Sequence, residues 1–577
     1  MTESSELSET ISVVLIGSGG VGVVTAGNIF LDAAAHAGWY GLMMRSAGPQ
    51  IRGGESVAFI RLGSRPVGSL DDAFDIMVAY DWVNFERFAA EVPLNGDSLV
   101  ICDPAAGDIP EIVIAAGARI AELPLKDTAK GIAGGRSSMV GLGALSALIS
   151  LPETALTETL DHLFKGKGEE ILKANRLSAK AGRDAAQGLD MKRRLKIAEP
   201  APKVERWNIS GNEAAGLGAV RAGLRFVAAY PITPSTDMLE WLAPNLEKLG
   251  GVLVQAEDEL ASINMIIGGS FGGVPALTAT SGPGLALMME SIGLAVASEV
   301  PVVIVNVMRG GPSTGIPTKS EQSDLNIAVY GLHGDAPHIV TAPNSVDDCL
   351  FATQWSMHLA EALQCPAIVL SDQALGQARM LIDRPADAAF VARRETITAE
   401  VKNYRRYALT ASGVSPMAIP GVPNAEYVAD GLEHTEDGKP SAQAEHHRQQ
   451  LDKRQRKLTD HDFGRHWADI VGEGDTAIVT WGSSTDPVRE AQARAAAEGV
   501  NTRLISIRLL LPAQTEKFHQ AIKGVKRLLV VEQTHSGQFH RYLRAHYDLQ
   551  GEVKVFKQPG PLPIRPGQIH DLLVNWK

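Results

Sequence analysis

Four short segments carry the side chains best suited to chemistry. Tyr230-Pro231-Ile232-Thr233-Pro234-Ser235-Thr236 sets a threonine between two prolines, which fix the backbone of the turn and hold that hydroxyl in a defined direction. Glu257-Asp258-Glu259 opens a small-residue helical run, Leu260 to Gly269, and three acids in one turn cannot all point inward at low cost. Glu259 is the acid expected to face inward, with Glu257 as the fallback. Thr280-Ser281-Gly282-Pro283-Gly284 is a tight turn feeding a second helical run. Arg309 ends the apolar run Pro301 to Met308, where open α/β sheets collect ligands, and its fork matches a carboxylate as a lysine would not. A fixed hydroxyl, an enclosed acid, a glycine turn and a strand-end arginine read as one active-site face. Each also has a plain reading: a first-turn glutamate favoured by the helix dipole, a Ser235 or Thr236 helix cap, an ordinary loop arginine.

These segments need a scaffold that brings strand ends together. A chain of 577 residues is too long for one core and should divide into about three or four domains. Residues 1–195 alternate strand-like and helical runs, as do 204–382 and 462–577, with strand-like runs at Asp75 to Tyr80, Leu224 to Ala229, Val300 to Val307, Thr476 to Thr480 and Arg527 to Glu532. The expected fold class is α/β, with three doubly wound or mixed-sheet domains. A linker is expected at Met191 to Arg206. Residues 383–461 form a polar connector whose charge-dense part, Glu433 to Lys457, reads as a solvated helix.

Composition removes several functional classes. The formal net charge of -12, with no basic stripe, argues against a nucleic-acid partner. No apolar run approaches the roughly 18 residues of a membrane span. The first ten residues lack the basic and apolar regions of a signal peptide, so a cytoplasmic location is expected. The cysteines are Cys102, Cys349 and Cys365; they form no C-x-x-C pair and cannot by themselves hold a four-thiolate iron-sulfur cluster. No metal site is read in this chain.

Gly17-Ser18-Gly19-Gly20-Val21-Gly22 follows a strand-like run and precedes a helical one, the setting in which glycines bring backbone amides to a phosphate. The ribose-binding acid expected about 20 residues on is missing, and that region reads Trp39-Tyr40-Gly41-Leu42-Met43-Met44-Arg45. Three readings stay open for Gly17, Gly19 and Gly22: a nicotinamide or flavin dinucleotide, another phosphate-bearing ligand such as coenzyme A, or a structural turn.

Taken in order, these motifs resemble the alpha subunits of 2-oxoacid:ferredoxin oxidoreductases, of the type with a fused gamma part, and most of all those acting on 2-oxoglutarate. Gly48-Pro49-Gln50-Ile51-Arg52-Gly53-Gly54-Glu55 resembles the G-P-E-x-R-G-G pattern of the gamma part, with Gln50 where an acid is usual and Ala47 where an aromatic is common. Arg309 to Lys319 matches R-G-G-P-S-T-G-x-P-T-K. Gly431-Leu432-Glu433-His434-Thr435-Glu436-Asp437-Gly438 matches G-x-E-H-x-x-x-G, and Glu532 to Gln538 matches E-x-N-x-x-G-Q except for Thr534. The resemblance implies a gamma-like domain, a thiamine-diphosphate pyrimidine-binding-like domain and a transketolase C-terminal-like domain. It implies Glu259 as the acid that contacts the cofactor's aminopyrimidine ring, with Gly282 and Gly284 beside the cofactor. It implies Thr233 and Arg309 at the reacting acid, with Tyr230, Pro231, Ile232 and Arg52 lining the substrate.

The implied reaction is oxidative decarboxylation of a 2-oxo acid onto coenzyme A, 2-oxoglutarate to succinyl-CoA and CO2 being favoured over pyruvate or branched-chain acids. The G-D-G…N motif that holds the cofactor's diphosphate through Mg2+ is missing, since Gly472-Glu473-Gly474-Asp475 has neither that order nor the downstream Asn. The implied partner is therefore a beta subunit with that motif, Mg2+ and an iron-sulfur cluster, in an (alpha-beta)2 assembly that passes electrons to ferredoxin. The rival readings are a non-oxidative thiamine enzyme, a nicotinamide- or flavin-binding dehydrogenase and an assembly scaffold.

Overall fold

The computed structural model describes residues 6–47, 55–191, 193–196 and 206–576. Most of the expected linker at Met191 to Arg206 lies outside the described residues. Contacts divide the chain into two compact units. The first holds the chain up to Ser210 together with Ala378–Ala386 and Leu562–Leu572; the second holds Gly211–Gln377, Asp387–Pro561 and the residues from Leu573.

The first unit is built on a mixed sheet of eight strands among the described residues. Its order is Arg119–Glu122, Leu99–Cys102, Ile76–Ala79, Thr10–Ser18, Glu55–Gly63, Tyr40–Ala47, Arg379–Asp383 and Arg206–Ser210. The first four run parallel and the remaining pairs antiparallel. Thr10–Ser18 sits mid-sheet, so seven successive residues, Ile11 to Gly17, are buried on both faces, which is why they read as one apolar run. Helices Val23–His36 and Ser137–Leu148 cover it, with Phe30, Leu31, Leu142 and Leu145 fully enclosed. Leu562–Leu572 joins this unit through Arg565, which donates to the carbonyls of Asp71 and Glu91, and through the Gly567 amide, which donates to Asp72.

Among the described residues, the second unit holds two large sheets and a two-stranded one, Thr396–Ile397 with Met417–Ala418. The larger runs Val252–Gln255, Phe226–Ala229, Ala276–Thr280, Val303–Met308, Ala367–Asp372, Ile339–Thr341 and Leu509–Leu511, parallel except for the last strand. The smaller runs Ala468–Val471, Arg503–Ile507, Thr476–Thr480, Arg527–Glu532 and Glu552–Lys557, parallel except for the first. Arg503–Ile507 lies in the smaller sheet and Leu509–Leu511 in the larger, so Arg508 sits where the chain crosses between them. Its guanidinium donates to Asp348 Oδ2 at 2.9 Å and to Asp469 Oδ2 at 2.8 Å, tying the two sheets at a buried charge. The α/β class expected from the strand and helix alternation is the one observed. Among the described residues no helix is long and apolar enough to cross a membrane.

The connector departs from its sequence reading as a solvated helix. Its helix Ala444–Thr459 buries Lys453, Arg454 and Lys457, because Glu299 waits for them inside the second unit. Glu299 and Lys453 are both 0% exposed. Glu299 accepts from Lys453 Nζ and Lys457 Nζ, and its carbonyl accepts from Arg406 Nη2 at 2.8 Å. Glu433 takes a paired contact from Arg454, and His434 lies against the Tyr407 ring with centroids 3.8 Å apart, so this motif packs the connector. Burial alone would raise the Glu299 carboxyl, but Lys457, Lys453 and Arg406 outweigh it and hold it well below its ordinary value of 4.5. Replacing Glu299 by glutamine strands the enclosed ammonium groups and should cost about 3–5 kcal/mol, read as a lower denaturant midpoint. Because the carboxyl's pKa is depressed, its contribution is whole above its ordinary value and is lost as pH falls below it. The gap between wild type and Glu299→Gln should therefore shrink below pH 4.5.

Candidate active site

The larger sheet of the second unit brings the four segments to one edge. Phe226–Ala229, Val252–Gln255, Ala276–Thr280 and Val303–Met308 are neighbouring parallel strands, so their carboxyl ends point the same way. From those ends issue, in turn, Tyr230–Thr233, Glu257–Glu259, Ser281–Gly284 and Arg309. Carboxyl ends of parallel strands are where α/β sheets bind ligands, because the loops converge there over helix N-termini.

Thr233 and Arg309 are in contact. Arg309 Nη1 donates to the Thr233 carbonyl at 2.6 Å, so the arginine fixes the backbone of the threonine's turn. Asn212 Nδ2 braces the same turn from below, donating to the Pro234 carbonyl at 2.9 Å. Ser235 Oγ donates back to the Ile232 carbonyl at 2.8 Å, closing the turn rather than capping the following helix, Thr236–Glu247. Tyr230 is exposed while Pro231, Ile232 and Thr233 are half-buried. Arg309 is buried, and its Nε has no hydrogen-bond partner among the described residues. Burial pulls its guanidinium below the ordinary value, and the charge of Asp324 works against that.

The acidic turn sorts its three carboxylates. Glu257 and Asp258 are exposed, Asp258 accepting from the Ala261 amide at 2.7 Å as the helix cap, and Glu259 alone is buried. Glu259 fits because Gly284 has no side chain: a Cβ there would lie 2.1 Å from Thr280 Oγ1, 2.7 Å from Glu259 Cγ and 2.8 Å from Glu259 Oε1. A Cβ on Gly282 would lie 2.8 Å from both oxygens of Asp324. The turn that feeds helix Gly282–Ala297 is thus held between two carboxyl groups, Glu259 on one side and Asp324 on the other.

Asp324 was not singled out from the sequence. It lies in the polar run Glu321-Gln322-Ser323-Asp324, which has the composition of any surface loop. Asn306 Nδ2 donates to its Oδ2 at 2.9 Å. A signal existed in Asn306, an amide in an otherwise apolar strand. Burial pushes the Asp324 carboxyl up to about 6 against the hydrogen bond from Asn306; Glu321 adds to the rise and Arg309 opposes it. Two glutamines hold the loop. Gln322 Oε1 accepts from Ser484 Oγ at 2.9 Å and from the Gln533 amide at 2.8 Å, while its Nε2 donates to the Trp481 carbonyl at 2.8 Å. Gln538 Nε2 donates to the Ser323 carbonyl at 2.7 Å and its Oε1 accepts from the Asn326 amide at 2.9 Å. Thr534, the departure from the family pattern, accepts from the Gly537 amide at 3.0 Å and donates to Glu532 at 2.7 Å, which shapes the turn that presents Gln538.

In the first unit, the Gly17–Gly22 loop opens the 14-residue helix Val23–His36, whose N-terminus has no side-chain cap. The Ser18 amide and hydroxyl both donate to Asp81, at 3.0 and 2.8 Å, so the start of the loop is already held by a carboxylate. Gly22 has φ +94° and faces Ser138 at the start of helix Ser137–Leu148. Arg52, with the rest of residues 48–54, lies outside the described residues. Cys102, Cys349 and Cys365 are buried and unpaired, and no cluster of three or more metal-ligating side chains occurs among the described residues.

Comparison with known proteins names this arrangement. Residues 12–185 match the family model described as pyruvate ferredoxin/flavodoxin oxidoreductase, residues 217–453 its thiamine-diphosphate-binding part, and residues 466–543 the transketolase C-terminal domain. A 2-oxoglutarate synthase subunit KorA from Methanothermobacter marburgensis is 35% identical over 65% of this chain and 100% of that protein. A 2-oxoacid:ferredoxin oxidoreductase subunit alpha from Saccharolobus solfataricus is 28% identical over 95% of both chains. Among solved structures, a 2-oxoglutarate:ferredoxin oxidoreductase from Magnetococcus marinus, with 2-oxoglutarate, coenzyme A and succinyl-CoA bound, superposes with a TM-score of 0.90 at 36% identity, covering 98% of this chain and 99% of that one. The chain belongs to the 2-oxoacid:ferredoxin oxidoreductases, as an alpha-type subunit of these enzymes.

Proposed function

We propose that this chain is the alpha subunit of a 2-oxoglutarate:ferredoxin oxidoreductase, converting 2-oxoglutarate and coenzyme A to succinyl-CoA and CO2 and running also in reverse. The observation that carries the reading is the meeting of Arg309, Thr233 and an enclosed Glu259 at the carboxyl ends of neighbouring strands. The choice of 2-oxoglutarate is supported by the relatives named 2-oxoglutarate synthase and by the acid bound in the Magnetococcus marinus enzyme.

Arg309 would hold the substrate's 1-carboxylate. Its Nη1 is engaged by Thr233, and the buried Nε without a partner is a donor available to a ligand. The Thr233 hydroxyl, on a turn fixed by Arg309, Asn212 and Pro234, would direct the 2-oxo oxygen, with Tyr230, Pro231 and Ile232 as the adjoining wall. Thiamine diphosphate, when bound, supplies the carbon that adds to the 2-oxo group and accommodates the charge left as CO2 departs. Glu259 fits that cofactor: it is an acid sheltered from water, which would accept a hydrogen bond from the aminopyrimidine ring and hold a proton there. Gly282 and Gly284 would let the cofactor approach the turn, and Arg52 would be a further substrate-binding residue. The uncapped helix start at Gly19 and Gly22 would meet a phosphate of coenzyme A.

This chain would complete its site against a beta subunit with the diphosphate motif, Mg2+ and iron-sulfur cluster, in a cytoplasmic (alpha-beta)2 assembly that reduces ferredoxin. Exposed Leu260, Met265 and Leu287, on the helices that carry Glu259 and Gly284, supply an apolar face suited to such a partner. The three domains would follow the boundaries 1–195, 204–382 and 462–577, with 383–461 as connector.

The test is anaerobic assembly with the beta subunit and coenzyme A-dependent viologen reduction, comparing 2-oxoglutarate, pyruvate and 2-oxoisovalerate. Reduction with 2-oxoglutarate alone is expected; a preference for another acid would reassign the substrate. Glu259→Gln in that complex should lower kcat about 100-fold or more with the fold retained; unchanged activity would reduce this chain to a scaffold. Gly284→Ala, which drives a methyl group into Thr280 and Glu259, should cost about 1–3 kcal/mol in stability and lower kcat by about tenfold or more, read by thermal melting and the same assay.

A further inference from the structure

Asp324 is an acid that the reading above leaves unused, and its surroundings are unlike those of a structural carboxylate. Among the described residues, Asn306 Nδ2 is the one hydrogen-bond donor to its side chain, and it has no ion pair within 4 Å. Near it in the fold lie buried polar atoms without partners among the described residues: Ser281 Oγ, Asn306 Oδ1, Arg309 Nε and Ser323 Oγ. Packed structural acids are normally hydrogen-bonded to several donors, whereas only Asn306 donates to this one and the hydroxyls and the guanidinium Nε nearby are not bonded to it. Arg309 is the nearby cation, and Glu321 is the other charged group that bears on Asp324. The remaining neighbours, Gly282, Asn306 and the Gln322 and Gln538 clamps, are uncharged.

We propose that Asp324 is a positioning residue that takes up a proton from solvent when a substrate carboxylate binds Arg309, coupling the site's affinity for the acid to pH. The proposal rests on Arg309 as the carboxylate's partner. A bound carboxylate and an ionised Asp324 place two anions in the field of one enclosed guanidinium, and each weakens the other's attraction. The backbone that carries Asp324 is held in place, and Asn306 holds its carboxyl. Gln322 ties the residues before it to Trp481, Ser484 and Gln533, and Gln538 ties Ser323 and Asn326 on either side. Protonation relieves the conflict between the two anions. A neutral Asp324 repels nothing and gains an O–H donor, and Asn306 Oδ1, on the amide that already donates to it, is a buried acceptor waiting for one. Burial has already brought the carboxyl up to about 6 before any ligand arrives, so a further anion need raise it only modestly to protonate it near neutrality.

The experiment uses the assembled, cofactor-loaded complex. In wild type, the KM for the 2-oxo acid should rise with pH above about 6, approaching tenfold per unit, because binding then requires a proton. In Asp324→Asn the KM should be flat over the same range. Calorimetric titration of wild type with glutarate, which lacks the reactive carbonyl of 2-oxoglutarate, in two buffers of different ionisation enthalpy at pH 7.5 should register net proton uptake. Asp324→Glu should restore the slope that Asp324→Asn removes. An unchanged slope in Asp324→Asn, or no proton uptake in wild type, overturns the proposal, and the wild-type titration decides it even where a variant does not assemble. Arg309→Met separates this from the underlying reading. Unaltered KM and glutarate affinity in that variant overturn the role of Arg309 and the coupling with it, whereas lost affinity there with no proton uptake in wild type overturns the coupling alone.

Discussion

The close packing of Glu259 against Gly284 is the contact on which the rest of the site depends. Glu259 is enclosed, and an enclosed carboxyl group needs space that a packed α/β sheet does not ordinarily leave. Here the space comes from the missing side chain of Gly284. The helix Gly282–Ala297 can then start immediately beside the helix that carries Glu259, and the strand between them, Ala276–Thr280, sets their separation. Gly282 repeats the device on the other side of the turn with Asp324. The Ser-Gly-Pro-Gly turn is therefore shaped by two acids: its glycines leave their room, and Pro283, without an amide hydrogen, adds no donor to be satisfied in the helix's first turn.

Much of this was legible in the sequence, for identifiable reasons. The strand ends could be found because Val300 to Val307 and Leu224 to Ala229 lie largely in a parallel sheet covered on both faces and so read as apolar runs, interrupted only by Asn306 and Arg225. Glu259 could be singled out from three adjacent acids because it opens the small-residue run Leu260 to Gly269 and because the resemblance puts a cofactor-contacting acid at this point of the pattern; the structure buries it with Ile263 and Ile266, four and seven places on. Arg309 could be chosen because an arginine directly after a buried strand sits at its carboxyl end. What could not be read depends on pairings between distant parts of the chain. Asp324 looks like a loop residue until Gly282 is known to lie under it. Lys453 and Lys457 look like solvent-facing charges because their partner, Glu299, is about 150 residues away and nothing local marks it as enclosed. Arg379–Asp383 joins the first unit as a strand between Tyr40–Ala47 and Arg206–Ser210, a register no spacing rule supplies.

The buried charges share a logic. Glu299 with its two lysines, Glu361 with Arg394, and Arg508 with Asp348 and Asp469 all join elements far apart in sequence within the second unit. An apolar contact could hold the same elements together, but it would tolerate small slides. A buried ion pair punishes displacement, because separating the partners leaves an uncompensated charge out of water. Such pairs suit a protein whose connector and second sheet must be held in one register against the sheet that bears the site.

That requirement explains why the smaller sheet belongs here although it carries none of the catalytic candidates. Its loops hold the segment that follows Arg309. Gln322 is fully enclosed by Trp481, Ser484 and Gln533, and Gln538 reaches the backbone on both sides of Asp324. Uncharged amides are the right side chains for this work: each offers both a donor and an acceptor, so backbone groups of either kind can be satisfied without placing another charge beside Arg309 and Asp324. A lysine, with donors only, or a glutamate, with acceptors only, would lose half of either clamp and would also change the field at the guanidinium. The amide clamps therefore separate two tasks that a charged clamp would confuse: they fix where the arginine and its neighbouring acid stand, and they add no charge of their own to the field in which Arg309, Asp324 and Glu321 bear on one another.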